Sequence, residues 1–134
     1  MVGLLAQLFA IEADFAIAPE MQARGLAMLL GRDDAAVLVA TIGGAVAGMT
    51  TVQLTVSTAR GGFSAGIEDV VVDEAHRGSG VGRLLLGAAE EWARARGALR
   101  LALLADETNA PALDFYDRLG FTRTRLVWLA RPIA

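Results

Sequence analysis

The chain has 134 residues, of which 54% are apolar and 20% charged, with a mean hydropathy of +0.48 and a formal net charge of −3. This length and apolar content suit one core, so residues 1–134 are predicted to form a single domain. The absence of cysteine excludes disulfides and thiolate metal sites, and with a single histidine no bound metal is predicted. The net negative charge and the absence of a basic run argue against binding to nucleic acid.

The N-terminal region predicts two helices and no membrane segment. Its first residues are apolar but lack a basic segment, and Glu12 and Asp14 interrupt them well short of a membrane span. A cytoplasmic location is expected by default. Apolar residues predict the first helix over residues 2–11, and the second helix is predicted to begin at Pro19, a favoured first helical residue, and to end at Gly31.

Strand patterns follow these helices. The segments Ala36–Ile42 and Ala45–Val56 are separated by a pair of glycines and predict an antiparallel hairpin. The segment Ser57–Gly66 contains three glycines and predicts a loop. It leads to Ile67–Val72, which ends in three β-branched residues and is predicted to be a buried strand.

A long amphipathic helix is predicted over Val81–Arg96, and Gly97 is typical of the left-handed residue that ends a helix. The side chains expected to pack on the sheet recur at steps of three and four. They are Val81, Leu84, Leu85, Ala88, Trp92 and Ala95. A strand at Leu99–Leu104, a helix at Asn109–Leu119 and a final strand at Leu126–Ala130 complete the predicted elements.

The segment Arg77-Gly78-Ser79-Gly80-Val81-Gly82 lies between the predicted strand and the long helix. A glycine-rich turn at such a junction places backbone N–H groups and the positive end of a helix dipole at one point, which favours phosphate. The glycines do not have the dinucleotide-binding spacing, and the absence of lysine excludes a P-loop and a pyridoxal phosphate site. The segment therefore predicts a phosphate-bearing ligand, and a tight turn without a ligand is the alternative.

Charge is distributed unevenly along the chain. Residues 1–75 carry nine acidic and three basic side chains, whereas residues 76–134 carry six acidic and nine basic ones. The basic half suits an anionic cofactor and the acidic half a cationic amine. Scattered, solvated charge explains the same counts equally well.

Two motifs resemble those of one known family. The pattern Arg77-x-x-Gly80-x-Gly82, after a strand and before a helix, resembles the pyrophosphate-binding motif of the GNAT N-acetyltransferase superfamily. The segment Asn109–Phe121, an Asn followed by a helix with Phe-Tyr and ending in Gly-Phe, resembles its second motif. The resemblance implies the GNAT acyl-CoA N-acyltransferase fold, an α/β fold with a central, mostly antiparallel twisted sheet flanked by helices, and acetyl-CoA as co-substrate.

The start of the chain departs from the family pattern. GNAT chains usually open with a strand ahead of the first helix, and Met1-Val2 leaves no room for one. The sheet is expected to lack its first strand, either by nature or because the true start lies upstream. A homodimer is expected, because an exposed strand edge needs a cover and because the resemblance to the family implies one.

The resemblance also implies which residues bind the coenzyme. The backbone of Val70–Val72 would pair with the pantetheine arm as an added strand, and the glycine segment would hold the phosphates. The implied coenzyme-binding residues are Val70, Val71, Val72, Arg77, Gly78, Ser79, Gly80, Val81, Gly82, Arg83, Asn109 and Phe115. Arg83 could equally face solvent, and Asn109 could equally cap its helix.

Acetyl transfer to an amine needs a group that takes the amine proton, an oxyanion donor and an acid for the thiolate. Tyr116 is the candidate acid, because a phenol of pKa about 10 protonates a thiolate of pKa about 8.5 to 9. Glu68 is the candidate base, directly or through water. Because Glu68 and Asp69 are adjacent on a strand, they are expected on opposite faces. The alternatives are a core role for Tyr116, and for Glu68 an edge carboxylate held by a loop N–H or Arg60.

The predicted function is N-acetyl transfer from acetyl-CoA directly to a primary amine of a small molecule. The alternatives are a protein N-acetyltransferase and a non-catalytic acyl-CoA binding module. The expected partners are the small-molecule amine and a second copy of the chain, without nucleic acid or membrane.

Overall fold

A computed structural model describes residues 1–11 and 18–133 of the chain. The helices and strands of these residues are α1 (Val2–Ile11), α2 (Pro19–Leu30), β1 (Ala35–Ile42), β2 (Ala45–Ser57), β3 (Gly62–Val72), α3 (Val81–Ala95), β4 (Ala98–Leu103) and α4 (Ala110–Arg118). A short 3₁₀ turn, Glu74–His76, separates β3 from the glycine segment. The predicted order of helices and strands is confirmed up to the end of α4.

The described strands form one mixed sheet in the order β1-β2-β3-β4. The pairs β1–β2 and β2–β3 are antiparallel, whereas β4 runs parallel to β3. A parallel neighbour needs a crossover connection, which α3 provides between β3 and β4. The mostly antiparallel sheet flanked by helices confirms the predicted α/β fold class, and no strand precedes α1 in the described part of the chain.

The first hairpin is closed by two glycines, as predicted. Ile42 pairs with Ala45, so that Gly43 and Gly44 alone form the turn, with φ angles of +59° and +80°. Positive φ at both central residues is the requirement of the tight hairpin turn that matches the twist of the strands. Glycine takes this conformation without the steric cost of a Cβ atom.

The prediction of a loop over Ser57–Gly66 is wrong, because most of this segment is strand. The turn closes between Ser57 and Gly62, which are paired, and the Gly61 N–H donates to the Ser57 carbonyl at 2.9 Å. Phe63 and Ser64 then pair with Val56 and Thr55. Only Gly61 of the three glycines takes a positive φ, so the others were misleading turn signals. Ladder bonds to β2 override the low strand propensity of glycine.

The predicted packing face of α3 is partly wrong. Its buried residues are Val81, Leu85, Leu86, Ala89 and Ala93, whereas Leu84 is 71% exposed and Ala88 and Ala95 are exposed. Trp92 is half-buried. Four of these buried residues, Val81, Leu85, Ala89 and Ala93, recur at steps of four, and the helix approaches β2 closely at Gly48. A Cβ atom on Gly48 would lie 2.9 Å from Val81 Cγ1 and 3.0 Å from Leu85 Cδ1.

The two faces of the sheet carry different helices. Leu4 and Leu5 of α1 and Leu26 of α2 form a buried cluster with Met49 of β2 and Val71 of β3. Since neighbouring residues of a strand point to opposite faces, Met49 lies on the α1 and α2 face and Gly48 on the α3 face. The first turn of α1 is thereby packed against the strand that leads to the glycine segment.

The described chain divides into two compact units, Met1–Leu103 and the residues from Leu104 onward. In the second unit, α4 is followed by residues 121–133 without regular secondary structure. The predicted strand at Leu126–Ala130 is therefore wrong. Its large apolar residues Leu126, Val127, Trp128 and Leu129 are between 59% and 88% exposed. Apolar and β-branched residues favour a strand only where a neighbouring strand completes the ladder.

Candidate functional site

Two glycines give the segment before α3 its shape. Gly78 and Gly80 have φ angles of +80° and +88°, a region in which a side chain is strained. Gly80 is the N-cap of α3, and its carbonyl accepts the first helical bond, from the Leu84 N–H at 3.1 Å. Upstream, Asp73 caps the 3₁₀ turn by accepting from the Ala75 N–H at 3.0 Å. We call residues 78–83 the glycine loop.

The glycine loop presents a row of unused donors. No acceptor in the described part of the chain pairs with any of the N–H groups from Gly78 to Arg83. Residues 78–80 are exposed, and the N–H groups of Val81–Arg83 are the unsatisfied first turn of α3. The Ser79 hydroxyl donates to the His76 carbonyl and holds the turn closed. Consecutive N–H groups at a helix N-terminus form a site for an anion such as a phosphate.

The two arginines beside the loop differ in their surroundings. Arg77 donates through Nε to the Val72 carbonyl at 3.1 Å and through Nη2 to Gln7 Oε1 at 3.5 Å. Gln7 also accepts from the Glu74 N–H at 3.1 Å, so that α1 is tied to the approach of the loop. Arg83 is exposed and makes no hydrogen bond or ion pair with the described residues. Sequence reasoning missed Gln7, because no local pattern links it to residues 67 to 70 positions away.

The end of β3 leaves one backbone edge open. Val70, Val71 and Val72 pair with β2, whereas the pairing of β3 with β4 ends at Ile67 and Leu103. No strand of the described chain therefore lies beside Val70–Val72 on the β4 side. Unpaired strand edges accept an extended ligand through backbone hydrogen bonds. This edge leads directly through the 3₁₀ turn to the glycine loop.

A bulge in β3 lies just ahead of these valines. Thr50 pairs with Val70 and Val52 pairs with Ile67, so that both Glu68 and Asp69 lie opposite Thr51. The bulge interrupts the regular alternation on which the expected opposite directions of Glu68 and Asp69 depend. Glu68 is exposed and Asp69 is half-buried.

Asp69 is bound to both threonines of β2 at the bulge. Thr51 Oγ1 accepts from the Asp69 N–H at 3.1 Å and donates to Asp69 Oδ2 at 2.9 Å. Thr50 Oγ1 donates to the Asp69 carbonyl at 2.7 Å. Burial raises the pKa of the Asp69 carboxyl above its ordinary value; the Thr51 hydrogen bond opposes this effect, and the neighbouring Glu68 charge adds to it. The acidic pair on an apolar strand was visible in the sequence, but the bulge that distinguishes its members was not.

The second unit holds the second motif. Asn109 caps α4, with its Oδ1 accepting from the Ala112 N–H at 3.3 Å, so the capping interpretation of Asn109 is confirmed. Tyr116 is half-buried, with its ring centroid 5.3 Å from that of Phe115 and 5.8 Å from that of Phe121. Its carbonyl accepts from the Phe121 N–H at 3.0 Å, which closes the end of the helix. The Gly-Phe end of the motif thus fixes the aromatic surroundings of Tyr116.

The predicted site residues are therefore divided between the two units. The glycine loop, Arg77, the valines and Glu68 lie in the first, whereas Asn109, Phe115 and Tyr116 lie in the second. The described residues contain no group of three or more His, Asp or Glu side chains that could hold a metal ion. None of the helices in residues 1–11 and 18–133 is long and apolar enough to cross a membrane.

The chain is thus an α/β protein with a mixed sheet and a glycine loop at the strand-to-helix crossover, and comparison with known proteins identifies its family. The family model described as "Acetyltransferase (GNAT) family" matches residues 5–121. The chain belongs to the GNAT family.

Individual proteins are similar over different shares of the chain. Streptothricin acetyltransferase of Streptomyces lavendulae is 49% identical over 55 residues, 41% of this chain and 29% of that protein. Glucosamine 6-phosphate N-acetyltransferase of Trypanosoma brucei brucei is 37% identical over 79 residues, 58% of this chain and 52% of that protein. The chain thus matches only about a third to a half of the length of these relatives. An aminoglycoside N-acetyltransferase solved with CoA has a TM-score of 0.83 at 20% identity, covering 99% of this chain and 86% of that one, which shows the shared fold.

Proposed function

We propose that this protein is an N-acetyltransferase that moves the acetyl group of acetyl-CoA directly to a primary amine of a small molecule. The observation that carries the proposal is the row of unpaired N–H groups from Gly78 to Arg83 next to the open edge of β3. Family membership supports a coenzyme A thioester as the ligand of this site.

The first unit would hold the donor. The glycine loop would bind the pyrophosphate through its N–H groups, and Arg83, without a partner among the described residues, would add a charged contact. The open edge of Val70–Val72 would receive the pantetheine arm as an added strand. Arg77 would hold the loop through its hydrogen bonds to Val72 and Gln7, and it would also approach the phosphates. In the second unit, Phe115 and the amide of Asn109 would contact the arm.

Acetyl transfer requires one group that takes a proton from the amine and another that gives a proton to the coenzyme A thiolate. The uncharged amine nitrogen would attack the thioester carbonyl, and Glu68, directly or through water, would take one N–H proton from that nitrogen as the N–C bond forms. As the tetrahedral intermediate collapses, the new N–C bond remains and the C–S bond breaks. Tyr116 would give its proton to the departing thiolate, and the products are the acetylated amine and coenzyme A.

The small-molecule acceptor is supported by the relatives. Two of them are named for streptothricin and for glucosamine 6-phosphate, which are small molecules. The proposal also includes a homodimer, since the outer edge of β1 pairs with no strand in the described residues.

Coenzyme binding and turnover test the proposal separately. Calorimetry with coenzyme A measures binding, and thiol release from acetyl-CoA with a panel of small amines measures transfer. Gly80→Ala is expected to weaken coenzyme A binding about tenfold or more, because the Cβ atom strains the left-handed turn that aims the N–H groups. Gly97→Ala introduces the same strain at φ +79° outside the loop and is the matched control.

Three outcomes distinguish the hypotheses. A wild-type protein that fails to bind coenzyme A contradicts the proposal entirely. Binding without thiol release for any amine favours a non-catalytic acyl-CoA module. Release only with peptide amines favours a protein N-acetyltransferase.

A further inference from the structure

One buried hydroxyl holds the bulge of β3 through two bonds to the same residue. Thr51 Oγ1 accepts from the Asp69 N–H and donates to Asp69 Oδ2. We propose that Thr51 and Asp69 are positioning residues for acetyl transfer: by clamping the bulge, they fix the direction in which Glu68 leaves the strand. The inference rests on the proposed function, because it depends on Glu68 as the group that takes the amine proton.

The bulge needs such a clamp because the ladder does not hold it. Elsewhere in β3, backbone bonds to a neighbouring strand fix the direction of each residue. At the bulge, Glu68 and Asp69 share one opposite residue on β2, and the pairing with β4 ends at Ile67. Side-chain bonds from β2 replace the missing ladder bonds, with Thr50 adding a third at the Asp69 carbonyl.

The clamp is rigid on the threonine side. Thr50 and Thr51 are both 0% exposed, so their hydroxyls have no water to exchange partners with. By alternation along β2, Thr51 shares the sheet face of Met49, which carries α1 and α2. The Thr51 hydroxyl therefore lies on the face of the sheet opposite α3.

The carboxylate is clamped through one oxygen only. Asp69 Oδ2 accepts from Thr51, while Oδ1 has no hydrogen-bond partner among the described residues. If position matters and not charge, an amide of the same shape can replace the carboxylate and still accept from Thr51. Asp69→Asn is therefore expected to keep kcat within about threefold, whereas Asp69→Ala, which removes the acceptor, is expected to lower kcat about tenfold.

The threonine variants form the second arm. Thr51→Val keeps the shape but loses the hydroxyl, and kcat for an amine accepted by the wild type is expected to fall about tenfold, with KM for acetyl-CoA changing less than about twofold. Thr51→Ser restores the hydroxyl and is expected to restore kcat. Thr55→Val is the matched control, since the Thr55 hydroxyl donates to the Ser64 carbonyl in the same strand pair, away from the bulge.

A merely structural role lowers thermal stability but leaves kcat per folded molecule unchanged. An unchanged kcat in folded Thr51→Val, or equal losses in Asp69→Asn and Asp69→Ala, overturns the proposal; if Thr51→Val does not fold, the Asp69 pair decides. Amide hydrogen exchange at Asp69 needs no turnover: protection is expected to fall about tenfold in Thr51→Val and to persist in Thr51→Ser. Unchanged protection in Thr51→Val overturns the clamp and leaves the proposed function standing, whereas coenzyme binding without acetylation of any amine overturns the proposed function and the positioning role together.

Discussion

The tyrosine of the second motif is the only one in the chain, which makes its hydroxyl simple to test. Tyr116→Phe keeps the ring contacts with Phe115 and Phe121 while removing the proposed proton donor. We expect kcat to fall about a hundredfold or more, because general acid catalysis typically contributes 10² to 10⁴. Coenzyme A binding by calorimetry is expected to stay unchanged. A kcat equal to that of the wild type would contradict the assignment of Tyr116 as the acid.

The Asp69 carboxyl is expected to make the stability of the protein depend on pH. Its pKa is raised by burial, so the folded state favours the protonated carboxyl. The stabilising contribution is fully present below the unfolded pKa of about 3.9 and is lost as the pH rises through the folded pKa. Asp69→Asn removes this titration, and its free energy of unfolding relative to wild type is expected to increase from about pH 3 to about pH 7, measured by urea denaturation.

Asp106 is the matched control, because its pKa is shifted in the opposite direction. Hydrogen bonds from Thr108 lower the pKa of the Asp106 carboxyl, so its contribution is present above the unfolded pKa and is lost as the pH falls. Asp106→Asn is therefore expected to lose stability relative to wild type over the same rise in pH. Parallel trends for the two variants would show that the Asp69 shift is not the cause.

At the scale of elements, the approach of α3 to β2 depends on one missing side chain. Gly48→Ala places a Cβ atom 2.9 Å from Val81 Cγ1 and 3.1 Å from the Val71 carbonyl oxygen. We expect a loss of about 1 to 3 kcal/mol in the free energy of unfolding, since a packed contact must open. Denaturant titration measures the loss.

The same helix provides the control. Gly87 lies on α3 with nothing within 4 Å of an added Cβ atom. Gly87→Ala is expected to stabilise the protein by about 0.5 to 1 kcal/mol through helix propensity alone. Stabilisation by Gly48→Ala as well would mean that α3 does not approach β2 this closely.

For the molecule as a whole, the outer edge of β1 is the candidate dimer contact. Val39 of β1 is 45% exposed, and residues 35–42 contain no charge and no proline, the features that usually protect an edge. Val39→Lys is expected to convert a dimer into a monomer in sedimentation experiments. Val56→Lys, at a 74% exposed position of β2, is expected to leave the dimer intact. A dimer that survives Val39→Lys would place the contact elsewhere.

Much of the fold and the conformation of the glycine loop were predictable from sequence, because the signals are local. Paired glycines closed the first hairpin, and the Arg77–Gly82 motif identified the loop before α3, since backbone conformations near glycine depend on a few adjacent residues. The single domain, the cytoplasmic location and the roles of Tyr116, Glu68 and the coenzyme-binding residues stay predictions.

Other features were decided only by tertiary structure. The buried face of α3 packs closely over Gly48, more than thirty residues before the helix, and hydrogen bonds at the bulge join Thr51 to Asp69 across 18 positions. Residues 62–66 of the segment Ser57–Gly66 form strand because β2 supplies a ladder, whereas Leu126–Ala130 lacks regular structure. The sequence by itself determined the Gly43-Gly44 turn, the approximate helix limits and the position of the glycine loop. Strand register, side-chain burial and the surroundings of each carboxylate were decided by contacts between distant segments. A strand forms only when it pairs with a neighbouring strand, and that neighbour can lie far away in the sequence.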